Sequence, residues 1–488
     1  MINTGTHHQV RCRLRNLSLA SILLLTFSNI LLTIRLLNNS EIRASSEQTL
    51  AAAQISNQND HVVVAREKLE KLENCIPQQA IQELEDTTKK ETVYMDNFFQ
   101  SNGSNFLKNF DLNLGRWDAT RMYKLYDNVI IGQKYISLSQ TYNVCLATQS
   151  SLERLSSLVQ VAFQWSGPIS VGLFAAGDEE LNILLLYLYY LQKCFTQIHD
   201  RVLFHLAYPK DRAPTRININ FTYLSVLDCT NPDLTLKFLL KQRTPNTIKW
   251  RTRNPYPQNH LRNLARKNCQ TDNVFLTDID IIPSYGLAEG LNQFLKIAQC
   301  KNNLCAYVIP TFELDERVSF PTNKSDLLRL VSKGLARPFH EKIFIYNQFA
   351  SNISKWQEHT DMINENGKQD VHISHEVTNF EFFYEPFYVA PDTAPLHDER
   401  FLGYGFTRNT QVYEMFVRGF VFYVLSPVFT CHWGLQQKKS RPHWRERQNS
   451  LNAKQFETFK REIFAKYNKD PLNMMKKSLK QAPKKKKG

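Results

Sequence analysis

The chain has 488 residues, 42% of them hydrophobic, and a formal net charge of +14 from 60 basic and 46 acidic side chains. This length provides one large domain or two packed subdomains with a sizeable core, even without its N-terminal apolar segment and the polar stretch behind it. The charge does not indicate a nucleic-acid partner, because part of it lies in a Lys-rich tail, residues 471–488, that we expect to be solvated and disordered.

The N-terminal apolar segment predicts a single membrane anchor at residues 16–35. Residues 16–34 carry no charge and are rich in Leu and Ile, close to the roughly 20 residues that cross a bilayer. Three arginines precede the segment and only Arg35 follows it closely, which places residues 1–15 in the cytoplasm and the rest of the chain in a lumen. A cleaved signal peptide is the alternative, but no Ala-x-Ala-like site follows directly.

Cysteines and glycosylation sequons agree with a luminal location. Eight of the nine cysteines follow the anchor, and Asn-x-Ser/Thr sequons begin at Asn38, Asn102, Asn220, Asn323 and Asn352. Cys300 and Cys305 could close a small loop, whereas sequence assigns no partner to Cys145, Cys194, Cys229, Cys269 and Cys431. No second closely spaced Cys or His pair completes a structural zinc site.

Residues 36–135 are polar and poor in long apolar runs, which is typical of a stem. Ala65, Leu69, Leu72 and Ile76 follow heptad-like spacing among Glu and Lys. This pattern predicts either a short coiled coil that pairs two chains into a homodimer or a solvated spacer helix.

Between residues 136 and 470 apolar strands alternate with helices. Strands are predicted at 142–147, 169–175 and 202–207. The capping-box pattern of Ser150 and Glu153 predicts the start of an amphipathic helix. Asp178 and Glu179 open a second helix, whose apolar run at 183–191 is too short to cross a bilayer and is assigned to the core. This rhythm predicts a mainly parallel α/β sheet with ligands at the carboxyl ends of its strands.

An acidic pair follows a later strand. In residues 273–283, a short apolar run precedes Asp278 and Asp280. Side chains i and i+2 of a strand point the same way, so the two carboxylates can converge on one hard cation. An isolated Asp-x-Asp is also common in ordinary turns, but the apolar strand before it and Pro283 after it favour a metal site.

A basic segment precedes the acidic pair. Pro257 suits a first helical turn, and Arg262 and Arg266 lie four residues apart on one helix face. Their guanidinium groups could bind a diphosphate or an acidic sugar. An ordinary solvated basic face is the alternative.

Two further segments carry candidate chemistry. Asp398, Glu399 and Arg400 lie among aromatic residues and glycines, where a carboxylate could accept the proton of an attacking hydroxyl; a surface turn with a salt bridge is the alternative. His432 follows the last apolar strand, at 420–429, and could serve as a third metal ligand beside the two aspartates. A histidine in such a position is more often simply packed or exposed.

These segments, in this order, resemble the LARGE-type glycosyltransferase family over roughly residues 144–447. The segments that carry the resemblance are Trp165 with Gly167 to Ser170, the Tyr-Pro-x-Asn-x-Leu-Arg-Asn stretch from Tyr256 to Asn263, the Thr-Asp-x-Asp stretch from Thr277, Pro310 to Glu313, Arg337 to His340, Glu385 with Pro386, and Asp398 to Gly405. Together they are far more specific than any one of them.

The resemblance implies a Golgi membrane protein of single-pass type II topology with a GT-A nucleotide-sugar fold at residues 136–470. It implies an inverting transferase that uses Mn²⁺ and moves glucuronic acid from UDP-glucuronic acid to a xylose-ended glycan on a glycoprotein, as in O-mannosyl glycans of dystroglycan. Only one transferase domain is present, unlike in the two-domain members, so a polymerising activity is not expected.

The resemblance also assigns roles to single residues. Asp278, Asp280 and His432 match the metal ligands, and Asp398 falls where the catalytic base is placed, with Glu399 as its competitor. Arg262, Asn263 and Arg266, together with the two aspartates, form the candidate nucleotide-binding set. Arg408 stands where relatives often have Lys. Other UDP-sugar donors, such as xylose or N-acetylglucosamine, and a non-catalytic Golgi scaffold that binds glycans remain alternatives.

Overall fold

The computed structural model describes residues 110–219, 228–361, 370–438 and 442–475. The predicted anchor and stem helix, and residues 476–488 of the Lys-rich tail, lie outside the described residues. Within the described ranges, no helix is both long enough and apolar enough to cross a membrane.

The described elements alternate along the chain. The strands are β1 (Arg116–Trp117), β2 (Tyr123–Ile130), β3 (Val144–Ser151), β4 (Ile169–Phe174), β5 (Val202–Pro209), β6 (Asn273–Leu276), β7 (Ile282–Pro283), β8 (Cys305–Ile309), β9 (Thr311–Leu314), β10 (Ala336–Pro338), β11 (His372–Glu376), β12 (Phe387–Pro391), β13 (Val421–Ser426) and β14 (Thr430–Trp433). The α-helices are α1 (Tyr135–Thr141), α2 (Leu158–Gln164), α3 (Gly177–Cys194), α4 (Thr196–Arg201), α5 (Pro232–Leu240), α6 (Pro245–Arg253), α7 (Gln258–Lys267), α8 (Leu287–Ile297), α9 (Lys324–Ser332), α10 (Glu341–Phe344), α11 (Tyr346–Phe349), α12 (Ile353–Glu358), α13 (Asn409–Arg418) and α14 (His443–Tyr467). Short 3-10 helices occupy Leu152–Ser157, Lys210–Arg212 and Lys301–Asn303.

Ten strands form the central sheet, in the order β1-β2-β5-β4-β3-β6-β12-β8-β13-β11. The block β5-β4-β3-β6 is parallel, as the alternation of strands and helices predicts. The sheet as a whole is mixed, because β12 runs antiparallel to both of its neighbours and the edge pairs are also antiparallel. The expected mainly parallel sheet is therefore correct for this block and not for the flanking strands, whose pairing depends on contacts distant in sequence.

Local patterns locate the first elements well. Strands β4 and β5 and helix α3 lie close to their predicted positions, β3 overlaps its predicted range at residues 144–147, and the apolar run of α3 is buried in the core. The capping box is wrong, since β3 continues through Ser151 and is followed by a 3-10 turn whose first residue receives no side-chain cap. Ser150 instead donates its hydroxyl to the carbonyl of Ser151 at 2.7 Å.

The globular domain begins before the predicted boundary at residue 136. Strands β1 and β2 belong to the central sheet, and Tyr126 and Ile130 are part of its core. The sequence places this region in the stem because β2 also carries Lys124, Asp127 and Asn128, which interrupt its apolar pattern. Sheet pairing with β5 supplies the missing partner for this polar strand.

Helix α7 lies directly on strands β3 and β4. A side-chain Cβ at Gly172 of β4 would fall 2.5 Å from the carbonyl oxygen of Leu261 in α7, so only glycine permits this approach. The close contact fixes the helix that carries Arg262 against the parallel block.

Three disulfides connect the described elements. They join Cys145 to Cys269, Cys194 to Cys229 and Cys300 to Cys305. The small loop closed by the last pair is confirmed, and the first two pairs assign cysteines that sequence leaves open. Cys431 is a buried free thiol, and its burial raises the pKa well above the ordinary value.

Candidate active site

The acidic pair lies just beyond β6. The strand ends at Leu276, and the amide of Ile281 donates to the carbonyl of Asp278 at 3.0 Å, which closes a turn. The two aspartates therefore lie in a turn after the strand, and the expected strand position for them is wrong. Asp278 and Asp280 instead contact two different sets of partners.

Asp280 meets His432 through the second sheet, whose strand order is β10-β9-β14-β7. Strand β7 starts two residues after Asp280, and its Ile282 pairs with Cys431 in β14. This register brings His432 Nε2 to 3.6 Å from Asp280 Oδ2. The predicted proximity of an imidazole to one of the two aspartates is thus present.

A third charged group reaches Asp280 from the carboxyl end of β3. Arg154, in the 3-10 turn after that strand, places a guanidinium nitrogen 3.6 Å from Asp280 Oδ2, and its side chain is 65% exposed. The sequence pattern around Arg154 indicates only an amphipathic helix and does not predict this contact. The signal that could have found it is its position after a strand of the parallel block.

Asp278 is held by two arginines. Arg262 Nη2 lies 3.2 Å from Asp278 Oδ1, and Arg408 Nη2 donates to Asp278 Oδ2. Burial alone would raise the pKa of Asp278, but Arg408 and Arg262 outweigh it and hold this pKa well below its usual range. Arg408 also lies over the ring of Phe387, 4.1 Å from its centroid. Arg408, which stands where relatives often have Lys, therefore contacts the acidic segment directly.

A small cleft opens beside this ion-pair cluster. It is lined by Arg262, Leu276, Thr277, Pro386, Tyr388, His397 and Arg408. Burial and the neighbouring arginines keep the pKa of His397 well below its usual value, so the imidazole is neutral at neutral pH. Burial likewise raises the pKa of Glu385, although Arg408 and Arg262 oppose this shift. Two guanidinium groups therefore line the cleft, and both are paired with Asp278.

His340 adds a second imidazole to the same region. Its backbone amide donates to Glu313 Oε1 at 3.0 Å, and its ring stacks on Phe339. Burial, together with the positive charge of Arg408, lowers the pKa of His340 to about 4. The side chain is thus neutral at neutral pH and retains a nitrogen lone pair.

Two of the predicted nucleotide-binding residues have structural contacts instead. Arg266 is 1% exposed, and it donates to Asp392 and to the carbonyls of Asp392, Ala394 and Pro395. Asn263 donates to the carbonyl of His397 and accepts from its amide. Both residues of α7 therefore hold the loop that follows β12, and a nucleotide contact for Arg266 has no support in this arrangement.

The two candidate bases differ in their surroundings. Both oxygens of Asp398 accept hydrogen bonds from Arg400, which also binds Glu462, so the salt-bridged turn given as the alternative is the observed arrangement. Glu399 accepts one bond from Asn263 at 3.0 Å and lies 3.6 Å from His260 Nε2, with 30% of its side chain exposed. Glu399 is the less constrained carboxylate of the two.

The donors around Asp280 suit a divalent cation. Among the described residues, no group hydrogen-bonds the buried Nδ1 of His432, and its Nε2 lies beyond hydrogen-bond distance from Asp280. A neutral imidazole offers one nitrogen lone pair, and such a nitrogen next to a carboxylate oxygen is a donor pair that fits Mn²⁺ or Zn²⁺. Both oxygens of Asp278 are already paired with arginines, so its role as a metal ligand stays a prediction.

Comparisons with known proteins agree with these features. A family model described as a glycosyl-transferase for dystroglycan matches residues 143–468. Human beta-1,4-glucuronyltransferase 1 is 30% identical over 365 residues, which cover 73% of this chain and 82% of the relative. Human xylosyl- and glucuronyltransferase LARGE1 is 25% identical, over 61% of this chain and 32% of the relative.

Solved structures show weaker similarity. GalNAc-T7 with UDP, GalNAc and Mn²⁺ superposes with a TM-score of 0.32 at 8% identity, over 69% of this chain and 53% of that one. The corresponding values for S. aureus TarS are a TM-score of 0.30 and 11% identity, over 67% of this chain and 43% of that one.

The sequence matches and the site define the protein as a glycosyltransferase. More narrowly, the chain belongs to the family of glycosyltransferases for dystroglycan, because the family model covers well over half of its length. The resemblance to LARGE-type enzymes predicted from the ordered motifs is thereby confirmed.

Proposed function

We propose that this protein is an inverting, metal-dependent GT-A glycosyltransferase that transfers glucuronic acid from UDP-glucuronic acid to a xylose-ended glycan of the dystroglycan type. The observation that carries the proposal is the convergence of Asp280, His432 and Arg154 with the Asp278 ion pairs next to the end of β6. Ligands of open α/β sheets bind at this edge.

The charged groups suit an anionic donor. Arg154 is the most exposed of the arginines around the aspartates, so its guanidinium can leave Asp280 for a diphosphate or for the carboxylate of glucuronic acid. Arg262 and Arg408 keep Asp278 ionised and fix the turn between the two aspartates. The names of the glucuronyltransferase relatives support glucuronic acid as the transferred sugar.

Asp280 and His432 would hold Mn²⁺, with Asp278 as the predicted further ligand. The bound ion supplies positive charge against the diphosphate as UDP departs. The residues of the chain bind and orient the donor so that its anomeric carbon faces the acceptor hydroxyl.

We assign the general base to Glu399 and not to Asp398. Deprotonation of the acceptor hydroxyl needs a carboxylate with a free lone pair that solvent and substrate can reach. Glu399 meets this requirement, whereas Arg400 binds both oxygens of Asp398. The proton moves to Glu399 while the hydroxyl oxygen bonds the anomeric carbon and UDP leaves from the opposite face.

The proposed location is the Golgi membrane, with a single type II anchor at residues 16–35 and a luminal catalytic domain. Three disulfides among the described residues support an oxidising compartment. The charge asymmetry around the apolar segment supports the orientation.

A donor panel tests the proposal. Full-length protein purified in detergent is incubated with Mn²⁺, a xylose-ended acceptor, and UDP-glucuronic acid, UDP-xylose or UDP-N-acetylglucosamine in separate reactions. We expect transfer from UDP-glucuronic acid, with a β linkage in the product by NMR. Preferred transfer of either other sugar, or an α linkage, would contradict the proposal. The Asp280→Asn protein is the matched control for metal-dependent transfer.

A further inference from the structure

A second group of potential metal ligands lies at the edge of the central sheet. His359 follows α12, Asp361 comes two residues later, and His372 is the first residue of the edge strand β11. Their ligand atoms all lie within 4.8 Å of one another, and among the described residues this is the group of three that does so. None of these side chains takes part in the site described above.

The two imidazoles face each other. His359 Nε2 lies 3.0 Å from His372 Nε2. His372 Nδ1 lies 2.9 Å from the carbonyl oxygen of Asp370 and must donate to it, because a carbonyl only accepts. Neutral His372 therefore directs the lone pair of its Nε2 toward His359. A backbone carbonyl that fixes the other ring nitrogen is the usual support of a metal-binding histidine.

The carboxylate of Asp361 completes the group. Its Oδ1 lies 3.4 Å from His372 Nε2, and its side chain is 5% exposed. Lys324 donates to the other oxygen, Oδ2, at 2.8 Å, and Ser426 donates to Oδ1 at 2.6 Å. Lys324 also donates to the carbonyl of His359 at 2.8 Å. These bonds orient the carboxylate so that Oδ1 faces the imidazoles and keeps a lone pair.

We propose that His359, Asp361 and His372 bind a divalent transition metal of the zinc type. Two imidazoles and one carboxylate are the donors that Zn²⁺ prefers, and water can occupy the fourth position. The ion joins the end of α12 to the start of β11, an edge strand that pairs with β13 among the described strands.

Sequence spacing does not show this site, because His359 and His372 are thirteen residues apart. Pairing of His372 with Ser426 in β13 brings them together. The alternative is a hydrogen bond between two neutral imidazoles with no ion, in which His359 Nε2 carries a proton. A measurement of metal binding distinguishes this hydrogen-bonded pair from a metal site.

The test uses full-length protein that carries Asp280→Asn, so that the nucleotide-side metal site is impaired. Zinc content is measured after dialysis, and Co²⁺ is titrated as a spectroscopic probe. We expect this protein to retain zinc and to give the visible absorption of Co²⁺ with nitrogen and oxygen ligands. Adding His372→Ala is expected to weaken Co²⁺ binding by at least about 100-fold.

Two further variants make the result decisive. His359→Gln tests the second imidazole with a smaller change in volume, and His443→Ala, an exposed histidine at the start of α14, is the matched control that keeps the metal. A chelator should lower the melting temperature of the Asp280→Asn protein in which all three proposed ligands are kept. Absence of bound zinc and of a Co²⁺ signal in that protein, or equal binding after His372→Ala, would overturn the proposal. These outcomes do not depend on the donor panel.

Discussion

Asp278 and Asp280 lie two residues apart and are almost equally exposed, at 29% and 27% of the side chain, but their partners differ. Asp278 binds Arg262 and Arg408 directly, whereas the partners of Asp280 lie at 3.6 Å. Replacing each aspartate by asparagine removes one charge and keeps the shape. The pair of variants therefore separates a structural ion pair from a metal ligand.

The expected magnitudes follow from these contacts. A hydrogen bond to a charged group contributes about 1.5–3 kcal/mol. Asparagine at position 278 keeps one acceptor oxygen, and partial solvent access screens the lost charge interaction with the arginines. The free energy of unfolding should therefore fall by about 2–3 kcal/mol. The partners of Asp280 lie beyond hydrogen-bond distance, so Asp280→Asn should cost about 0–1 kcal/mol.

Thermal unfolding of the purified proteins at neutral pH measures the difference. At roughly 2 °C per kcal/mol for a domain of this size, Asp278→Asn should lower the melting temperature by about 4–6 °C and Asp280→Asn by less than about 2 °C. Because the pKa of folded Asp278 lies below its ordinary value of 3.8, the gap should persist at neutral pH and close only as the pH falls below that value. Equal melting temperatures for the two variants at neutral pH would refute the ion-pair argument.

Glu399→Gln should lower kcat by about 10²- to 10⁴-fold with KM for the donor unchanged, while Asp398→Asn should retain turnover; the opposite ranking in steady-state assays would transfer the base to Asp398. His340 should stay neutral down to a pH of about 4, so the unfolded chain takes up its proton first and stability falls between pH 6.5 and 4. His340→Gln should flatten that part of an acid-unfolding curve, and an unchanged slope would contradict the lowered pKa of His340. Replacing Cys145 and Cys269 by serine opens a cross-link between residues 124 apart, which should cost about 4–5 kcal/mol in urea unfolding; a cost below about 1 kcal/mol would argue against the pairing.

Local sequence pattern determines the parallel block, and that part was predictable. Apolar runs and helix-start residues locate β3, β4, β5 and α3 because each signal lies within a few residues. Strand β2 was not recognised, since its polar residues are stabilised by pairing with β5, about 80 residues away. The antiparallel insertion of β12 likewise depends on partners that no local pattern specifies.

The site was predictable in its components more than in its geometry. Asp280 and His432 come together only because β7 pairs with β14, and sequence spacing does not contain that register. Arg154 was missed because its local pattern indicates only an amphipathic helix and does not show its contact with Asp280. Sequence also could not decide whether Asp398 is a base or half of a salt bridge, because the answer depends on the direction of the Arg400 side chain.

We propose that Asp280 and His432 hold the cation that the transfer reaction requires. A Mn²⁺ titration of glucuronic acid transfer tests this role in wild type, Asp280→Asn and His432→Ala, after removal of bound metal and with melting temperatures measured in parallel. We expect a saturable Mn²⁺ dependence in the wild type and loss of transfer in both variants, whose folds persist. Wild-type transfer without metal, or the same Mn²⁺ dependence in all three proteins, would contradict it.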